Sequence, residues 1–370
     1  MFFKTFLDIM PIMVKEYKKV LVGVSGGVDS TASLILLKKQ GFEPIAITLK
    51  LPSWENNKYY SNTCCSIQAL KIAKIICRKL NIPYYIIDVQ KEFKEIVVKY
   101  FIEELKKYRT PNPCLICNQE IKFDILIALA KKMKIKYVST GHYAKIKYNK
   151  KTKLYELYQG KDKTKDQSYS LSFLKQNQLK HIILPLGDYL KKDIYKLVKQ
   201  EGFPYFEKIK QSQNFCYVHN KNLKEFIKQK LGVYKGFIQD LKGNVLGEHL
   251  GLYFYTIGQR EGLGLSNGPY YVVGFDIENN VLLVSKNKKD LYKKEALLSP
   301  LNLISFKPTK KTIEIKAKIR YRAKASKAKL IIINRNKAKI IFKKPQMAIT
   351  PGQFCVFYQG QKCLGAGIIN

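Results

Sequence analysis

The sequence predicts an α/β protein: an N-terminal open parallel sheet, then a small β-rich region, then a C-terminal β-barrel. Three observations lead there. Up to about residue 140, short β-branched runs alternate with longer segments of helical period, as parallel strands joined by crossover helices do. After about residue 212 the texture changes to short alternating segments rich in Gly, Tyr and Val. From about Leu297 short strands and turns continue to the end, which suits a small closed barrel.

The elements follow in order. Lys19–Val24 (KVLVGV) reads as a buried strand, Thr31–Gln40 as a helix stopped at Gly41, and Pro44–Leu49 as a second strand. Ser66–Leu80 has helical spacing, Tyr84–Val89 reads as a third strand, Ile121–Lys132 as a helix and Tyr137–Thr140 as a strand. In such a sheet, ligand is expected at the strand C-termini. Gly251–Ile257, Tyr270–Asp276 and Val281–Ser285 read as strands of the middle region. Thr312–Arg322, Lys329–Ile333, Lys339–Phe342 and Gln353–Tyr358 supply the barrel, with turns at Asn334–Asn336 and Pro351-Gly352. At 370 residues the chain exceeds what one core usually fills. Hinges near 210 and 290 divide it into 1–212, 213–290 and 291–370, with no internal repeat or low-complexity linker.

Composition narrows the function. Lys and Arg number 67 against 28 Asp and Glu, a formal net charge of +39. An AT-rich genome inflates Lys, Ile, Asn and Tyr and explains part of this excess. It does not by itself explain the shortage of acids, so a polyanionic partner is expected. No apolar run reaches the roughly 20 residues of a membrane-spanning helix. The opening MFFKTFLDIMPIMVKEYKK is broken by Asp8 and Pro11 and has no small-residue cleavage site, so it reads poorly as a secretory signal. A soluble, cytoplasmic protein is expected, with an organelle transit role for the first residues as the alternative. The eight cysteines (Cys64, Cys65, Cys77, Cys114, Cys117, Cys216, Cys355 and Cys363) are irregularly spaced, unlike a disulfide scaffold.

Two motifs carry chemistry. Ser25-Gly26-Gly27-Val28-Asp29-Ser30 lies directly after a strand and before a helix. Two glycines let backbone amides close around an oxyanion, Ser25 and Ser30 add hydroxyls, and the helix turns its positive end to phosphate. The loop lacks the Lys of a Walker A motif, which argues for chemistry at the α-phosphate, and Asp29 suits Mg²⁺. The second motif is Arg109-Thr110-Pro111-Asn112-Pro113-Cys114-Leu115-Ile116-Cys117-Asn118. A cysteine just ahead of a helix gains thiolate character, which poises Cys117 as a nucleophile. Cys114-x-x-Cys117 also has the form of half a zinc site, but no second CxxC or paired histidines complete one. Cys216 stands 99 positions beyond Cys117, and spacing alone does not pair them. The remaining five cysteines read as inert.

Together these residues resemble the tRNA-specific 2-thiouridylase family within the PP-loop ATP pyrophosphatases, of adenine nucleotide alpha hydrolase-like fold. The resemblance covers nearly the whole chain. It rests on GVSGGVDS (Gly23–Ser30), RTPNPCLICNQEIKF (Arg109–Phe123), TGHYA (Thr140–Ala144), KDQSY (Lys165–Tyr169), NFCYV (Asn214–Val218), GEHLGLYFYTIGQREGLG (Gly247–Gly264), RYR (Arg320–Arg322) and TPGQ (Thr350–Gln353).

The resemblance implies ATP and Mg²⁺ as cofactors and an attack by the C2 oxygen of the wobble uridine, U34, on the α-phosphate. Persulfide sulfur on Cys216 then displaces AMP, and Cys117 completes release through a disulfide. ATP is expected on Gly23, Val24, Ser25, Gly26, Gly27, Val28, Asp29 and Ser30, with Leu49 at the adenine and Gly141 at the adenosine. Asn112, Pro113 and Cys114 should border the target base. His142, Lys165, Asp166, Gln167, Arg320, Tyr321 and Gln353 should meet the tRNA, although a packed histidine with no role is the alternative for His142. The implied partners are the anticodon arm of tRNAs for Lys, Glu and Gln and a cysteine desulfurase or sulfur-relay protein, with the enzyme a monomer. Many members carry Asp where this chain has Cys114. That departure removes an acid/base candidate and opens an alternative in which Cys114, Cys117 and Cys216 hold a [4Fe–4S] cluster.

Overall fold

The computed structural model describes residues 18–54, 67–204, 206, 216–218, 222–306, 308 and 311–370. They form two compact units, Met1–Phe93 with Cys117–Tyr217, and Lys94–Ile116 with Val218–Asn370.

The first unit is built on β1 (Lys19–Gly23), α1 (Val28–Lys39), β2 (Glu43–Lys50), α2 (Ile67–Lys79), β3 (Tyr84–Asp88), α3 (Asp124–Lys132), β4 (Tyr137–Ser139), the hairpin β5 (Ala144–Asn149) and β6 (Leu154–Gln159), β7 (Ile182–Ile183) and α4 (Lys191–Gln200). The sheet runs β3-β2-β1-β4-β7, all neighbours parallel. β1 is central, and Val20, Leu21 and Val22 are fully buried, as a strand covered on both faces requires. α1 is buried along most of its length. Leu34 and Leu37 of α1 share one core with Ile194 and Val198 of α4 and with Val20 and Val22 of β1.

Two expectations need correction. The helix expected from Ile121 begins earlier, because Pro113–Ile116 is already helical, followed by a π-helical stretch at Cys117–Phe123 and then α3. Pro113 occupies the first helical position, where its missing N–H costs nothing. Asn112 Oδ1 accepts from Cys114 N at 3.3 Å and supplies the cap. Cys117 is therefore inside a helical run rather than just ahead of one. The strand expected at Gly251–Ile257 is instead a 3₁₀ turn at Leu252–Phe254. Phe254 N donates to Gly251 O and Tyr255 N to Leu252 O, both at 3.1 Å, so local bonds replace a ladder.

In the second unit, α5 (Leu223–Leu231) precedes a sheet of β8 (Gly236–Asp240), β9 (Val245–His249), β10 (Tyr271–Asp276) and β11 (Val281–Ser285), ordered β10-β11-β8-β9. Its core contains Ile238, Leu252, Val272, Leu282 and Val284. β12 (Tyr292–Leu303), β13 (Thr312–Lys318), β14 (Ser326–Ile332), β15 (Ala338–Met347), β16 (Phe354–Gln359) and β17 (Lys362–Ile369) form an antiparallel barrel, closed where β17 pairs with β12. β13 ends short of the expected Arg322 because the chain turns there, with Ala323 N donating to Arg320 O. Among the described residues no helix is long and apolar enough to cross a membrane.

Candidate active site

The sheet order fixes where a ligand can sit in the first unit. The connections leave β1 towards β2 on one side and reach β4 on the other, so the crevice at this switch point opens at the C-termini of β1 and β4. The loop Ser25–Gly27 follows β1, and Thr140–Tyr143 follows β4. Val24 anchors the loop, since its N–H donates to Ile47 O at 2.8 Å and its carbonyl accepts from Thr48 Oγ1 at 3.0 Å. Ser30 Oγ accepts from Ser25 N and donates to Gly27 O, so this hydroxyl shapes the loop. Gly27 caps α1 with no side-chain bond to the first N–H groups, which leaves the positive end of a twelve-residue helix facing the loop. Gly26 has φ +70°, and a Cβ there would stand 2.3 Å from Ala69 O. Leu49 is half-buried on β2, opposite Ile87 of β3.

Gly141 packs on the first turn of α1, where a Cβ would come within 2.8 Å of the Asp29 carbonyl carbon and 2.9 Å of Ser30 N. Asp29 Oδ1 receives two bonds, from Tyr143 Oη at 2.8 Å and from Lys191 Nζ at 2.5 Å. Lys191 is buried, and its ammonium lies over the rings of Tyr143 (5.7 Å) and Tyr195 (5.1 Å). Burial pushes the Lys191 ammonium below the usual lysine range, opposed by the Asp29 carboxylate. Burial, then the charge of Asp29, holds the Tyr143 phenol far above its ordinary value, so it acts only as a donor to Asp29. Sequence reasoning missed both residues. Tyr143 lay within TGHYA without a role, and Lys191 looked like any other lysine in a chain with 67 Lys and Arg.

The two expected reactive cysteines both belong to this unit. Cys117 is buried and Cys216 partly exposed, and neither is in a disulfide. The short helix Gln90–Phe93 packs on the Cys117–Phe123 stretch, and the Phe93 ring lies 5.9 Å from that of Tyr217, next to Cys216. Tyr217 O also accepts from Trp54 N at 3.0 Å, tying this segment to the chain beyond β2. Asn214 and Phe215 lie outside the described residues, as do Cys64 and Cys65. Burial lifts the Cys77 thiol to about 11 and Cys355 higher still, which suppresses thiolate at neutral pH. Among the described residues no group of three His, Cys, Asp or Glu side chains is placed to hold a metal.

The residues expected at RNA behave differently from one another. Asp166 is buried, and its carboxylate accepts from Gly160 N, Ser168 N, Ser168 Oγ and Gln159 Nε2 at 3.0–3.2 Å, so it shapes its own loop. Gln167 brackets Tyr143, donating from N to its carbonyl at 2.9 Å and accepting from its N–H at 3.0 Å. Lys165 is half-buried. His142 is buried against Phe123, and Thr140 Oγ1 bonds its Nδ1 at 2.8 Å. Burial, aided by the Lys122 charge, depresses His142 to about 3. The histidine is neutral in the fold and protonates near 6.5 when unfolded, so its share of stability is complete above that value and falls with pH down to about 3. Between pH 7 and 5 it should cost about 2 kcal/mol, measurable by urea unfolding and absent in His142→Gln.

In the second unit, Asn112, Pro113 and Cys114 form the capped helix start already described, with Cys114 exposed. Gln353 Nε2 donates to Thr110 O at 3.0 Å, and Thr110 N donates to Pro351 O at 2.8 Å. The barrel thus holds the segment leading into Asn112. Arg320 and Tyr321 are exposed on the β13–β14 turn.

An open parallel sheet with a glycine loop and an uncapped helix end at its switch point defines a PP-loop type of α/β domain. Comparison with known proteins agrees: residues 18–220 match a family described as tRNA methyl transferase HUP domain, residues 224–286 one described as tRNA methyl transferase PRC-barrel domain, and residues 293–369 one described as aminomethyltransferase beta-barrel domain. The tRNA-specific 2-thiouridylase MnmA of Clostridioides difficile (strain 630) is 40% identical over 356 residues, covering 95% of this chain and 98% of that protein. That of Clostridium botulinum (strain Alaska E43 / Type E3) is 42% identical over 359 residues, with 95% and 98% covered. A solved 4-thiouridine synthetase–RNA complex with bound ATP is 18% identical with a TM-score of 0.37, covering 58% of this chain and 50% of that one, a likeness that carries no argument. The chain belongs to the family of tRNA-specific 2-thiouridylases, which are tRNA sulfurtransferases.

Proposed function

We propose that this protein adenylates the C2 oxygen of the wobble uridine, U34, of tRNAs for Lys, Glu and Gln and replaces it with sulfur, releasing pyrophosphate and AMP. The observation that carries the reading is one unit holding both a glycine loop at an uncapped helix end and two cysteine segments that border the helix Gln90–Phe93. ATP would lie with its phosphates on Gly23–Ser30 and its adenosine towards Leu49 and Gly141. The loop amides and the positive end of α1 suit the charge that gathers on departing pyrophosphate. Asp29, with Oδ1 gripped by two donors and Oδ2 outside that grip, fits Mg²⁺, which when bound would neutralise phosphate charge. Cys216 would bring the persulfide and Cys117 the second thiolate, loaded by a cysteine desulfurase or relay protein. A [4Fe–4S] cluster does not fit, since no three ligands converge among the described residues, and no step is derived through it. A tRNA substrate supports a cytoplasmic placement.

The test is single-turnover thiolation of unmodified tRNA with ATP and a persulfide source. The reading expects 2-thiouridine and AMP in equal amounts, both dependent on ATP. Thiolation without AMP would sink it.

The barrel offers the tRNA a second foothold. Lys316 of β13 faces Lys327 of β14 directly, and Lys343 lies on the neighbouring β15, where Ala328 pairs with Phe342. All three are exposed, beside the turn that carries Arg320 and Tyr321. One row away, cations are offset: Glu314 takes Lys329 at 3.6 Å and Glu295 takes Lys339 at 2.9 Å. Like charges directly opposed across strands destabilise unless an anion covers them. Replacing the three lysines with Gln should lower the slope of log K against log salt for tRNA by about 2 to 3 without lowering the melting temperature.

A further inference from the structure

The carboxylate at the phosphate loop is held from behind by residues remote from it in sequence. Lys191 and Tyr143 converge on Asp29 Oδ1 at 2.5 and 2.8 Å. The lysine side chain is 9% exposed and that of Asp29 35%, so the grip is on the inner side of the pair. Packing does not require this arrangement. The same two helices, α1 and α4, meet elsewhere through Leu34, Leu37, Ile194 and Val198, and an apolar residue fills such a contact without the cost of burying charge. Lys191 is also the first residue of α4, at the positive end of a ten-residue helix, where a cation is disfavoured. Its surroundings only partly offset this. Asp162 takes the Lys191 N–H at 2.9 Å, Lys165 adds a like charge, and the rings of Tyr143 and Tyr195 flank the ammonium. A buried cation kept in an unfavourable place, aimed at the carboxylate of the loop, indicates a task at that loop.

We propose that Lys191 and Tyr143 are positioning residues for the adenylation step: they fix the orientation of the Asp29 carboxylate at the first turn of α1, and Lys191 cancels the charge that would otherwise repel the triphosphate. This rests on the reading of the loop as the ATP site. Tyr143 contributes orientation alone, being neutral, whereas Lys191 contributes orientation and charge. Two variants therefore separate the roles.

The experiment measures ATP affinity by calorimetry, with Mg²⁺ present and no tRNA, and pyrophosphate release in a single turnover with tRNA, for wild type, Lys191→Met, Lys191→Arg and Tyr143→Phe. Lys191→Met should weaken ATP binding about tenfold and slow pyrophosphate release by at least as much, since a charge-assisted bond is lost. Lys191→Arg should recover binding to within about threefold, because it keeps the charge. Tyr143→Phe should bind ATP within about twofold of wild type yet release pyrophosphate several-fold more slowly. Equal binding losses in Met and Arg variants would reduce Lys191 to packing, and unchanged pyrophosphate release in Tyr143→Phe would remove the orienting role. If Lys191→Met does not fold, the Arg and Phe variants still decide. A wild type that binds no ATP would overturn the reading of the loop itself, whereas variants identical to a wild type that binds ATP would overturn only this proposal.

Discussion

Cys117→Ser and Cys216→Ser should each lose formation of 2-thiouridine by more than about a thousandfold, while ATP and tRNA binding should stay within about twofold of wild type. The expected size comes from the chemistry. In the proposed reaction a persulfide on Cys216 would present a terminal sulfur to C2 of the adenylated uridine, forming a carbon–sulfur bond as AMP leaves. The Cys117 thiolate would then attack the Cys216 sulfur, breaking the sulfur–sulfur bond, closing a Cys117–Cys216 disulfide and leaving sulfur on the base. A serine cannot carry the persulfide at 216 or close the disulfide at 117. Pyrophosphate release separates adenylation from sulfur transfer, because neither substitution touches the phosphate loop and both should still adenylate the base. Cys114→Ser should remain active, since Cys114 is exposed at a helix start and has no part in that exchange. Loss in all three variants would reopen a three-cysteine site, and product from Cys216→Ser would refute the assignment of the sulfur carrier.

Gly26→Ala should be among the most damaging single methyls in the first unit. Its Cβ would stand 2.3 Å from the carbonyl of Ala69 in α2, and at φ +70° an L side chain is strained even without that clash. Backbone rather than a flexible side chain is in the way, so the loop must move. We expect a loss of about 2–4 kcal/mol in unfolding free energy together with loss of ATP binding. Gly27→Ala is the control, because its Cβ would meet only Ser25 Oγ at 3.5 Å and its φ is −91°. Urea unfolding should place Gly27→Ala within about 1 kcal/mol of wild type. Equal destabilisation by the two would show that the Ala69 contact does not constrain the loop.

Much of this protein could be read from residues close together in the chain. β1, β2 and β3 stand within a residue or two of their expected places because each is an apolar run bounded by turn signals. The phosphate loop was legible for the same reason, since strand, glycines and helix start occupy about a dozen consecutive positions. The barrel strands showed through their alternation, as in β14, where Ala328 and Leu330 face the core and Lys327 and Lys329 the solvent. Local signals failed where one signal had two meanings. Pro113 reads equally as a stiff extended approach or as a helix's first residue, and only the bond from Cys114 N to Asn112 Oδ1 decides. Tyr253 and its neighbours look like a strand until Gly251 and Leu252 accept the turn bonds.

What the sequence by itself determined is therefore the class of protein: a parallel α/β sheet with a glycine loop between strand and helix, and a basic barrel. Only the tertiary structure decided which side chains serve that loop. Asp29 and Lys191 are 162 positions apart, and they meet because β4 lies beside β1 while α4 packs on α1. Asp166, expected at RNA, turns inward because four donors of its own loop enclose it. Strand order and helix packing are set by the whole core at once, so a pair of opposite charges in a lysine-rich chain carries no sequence mark of its partnership.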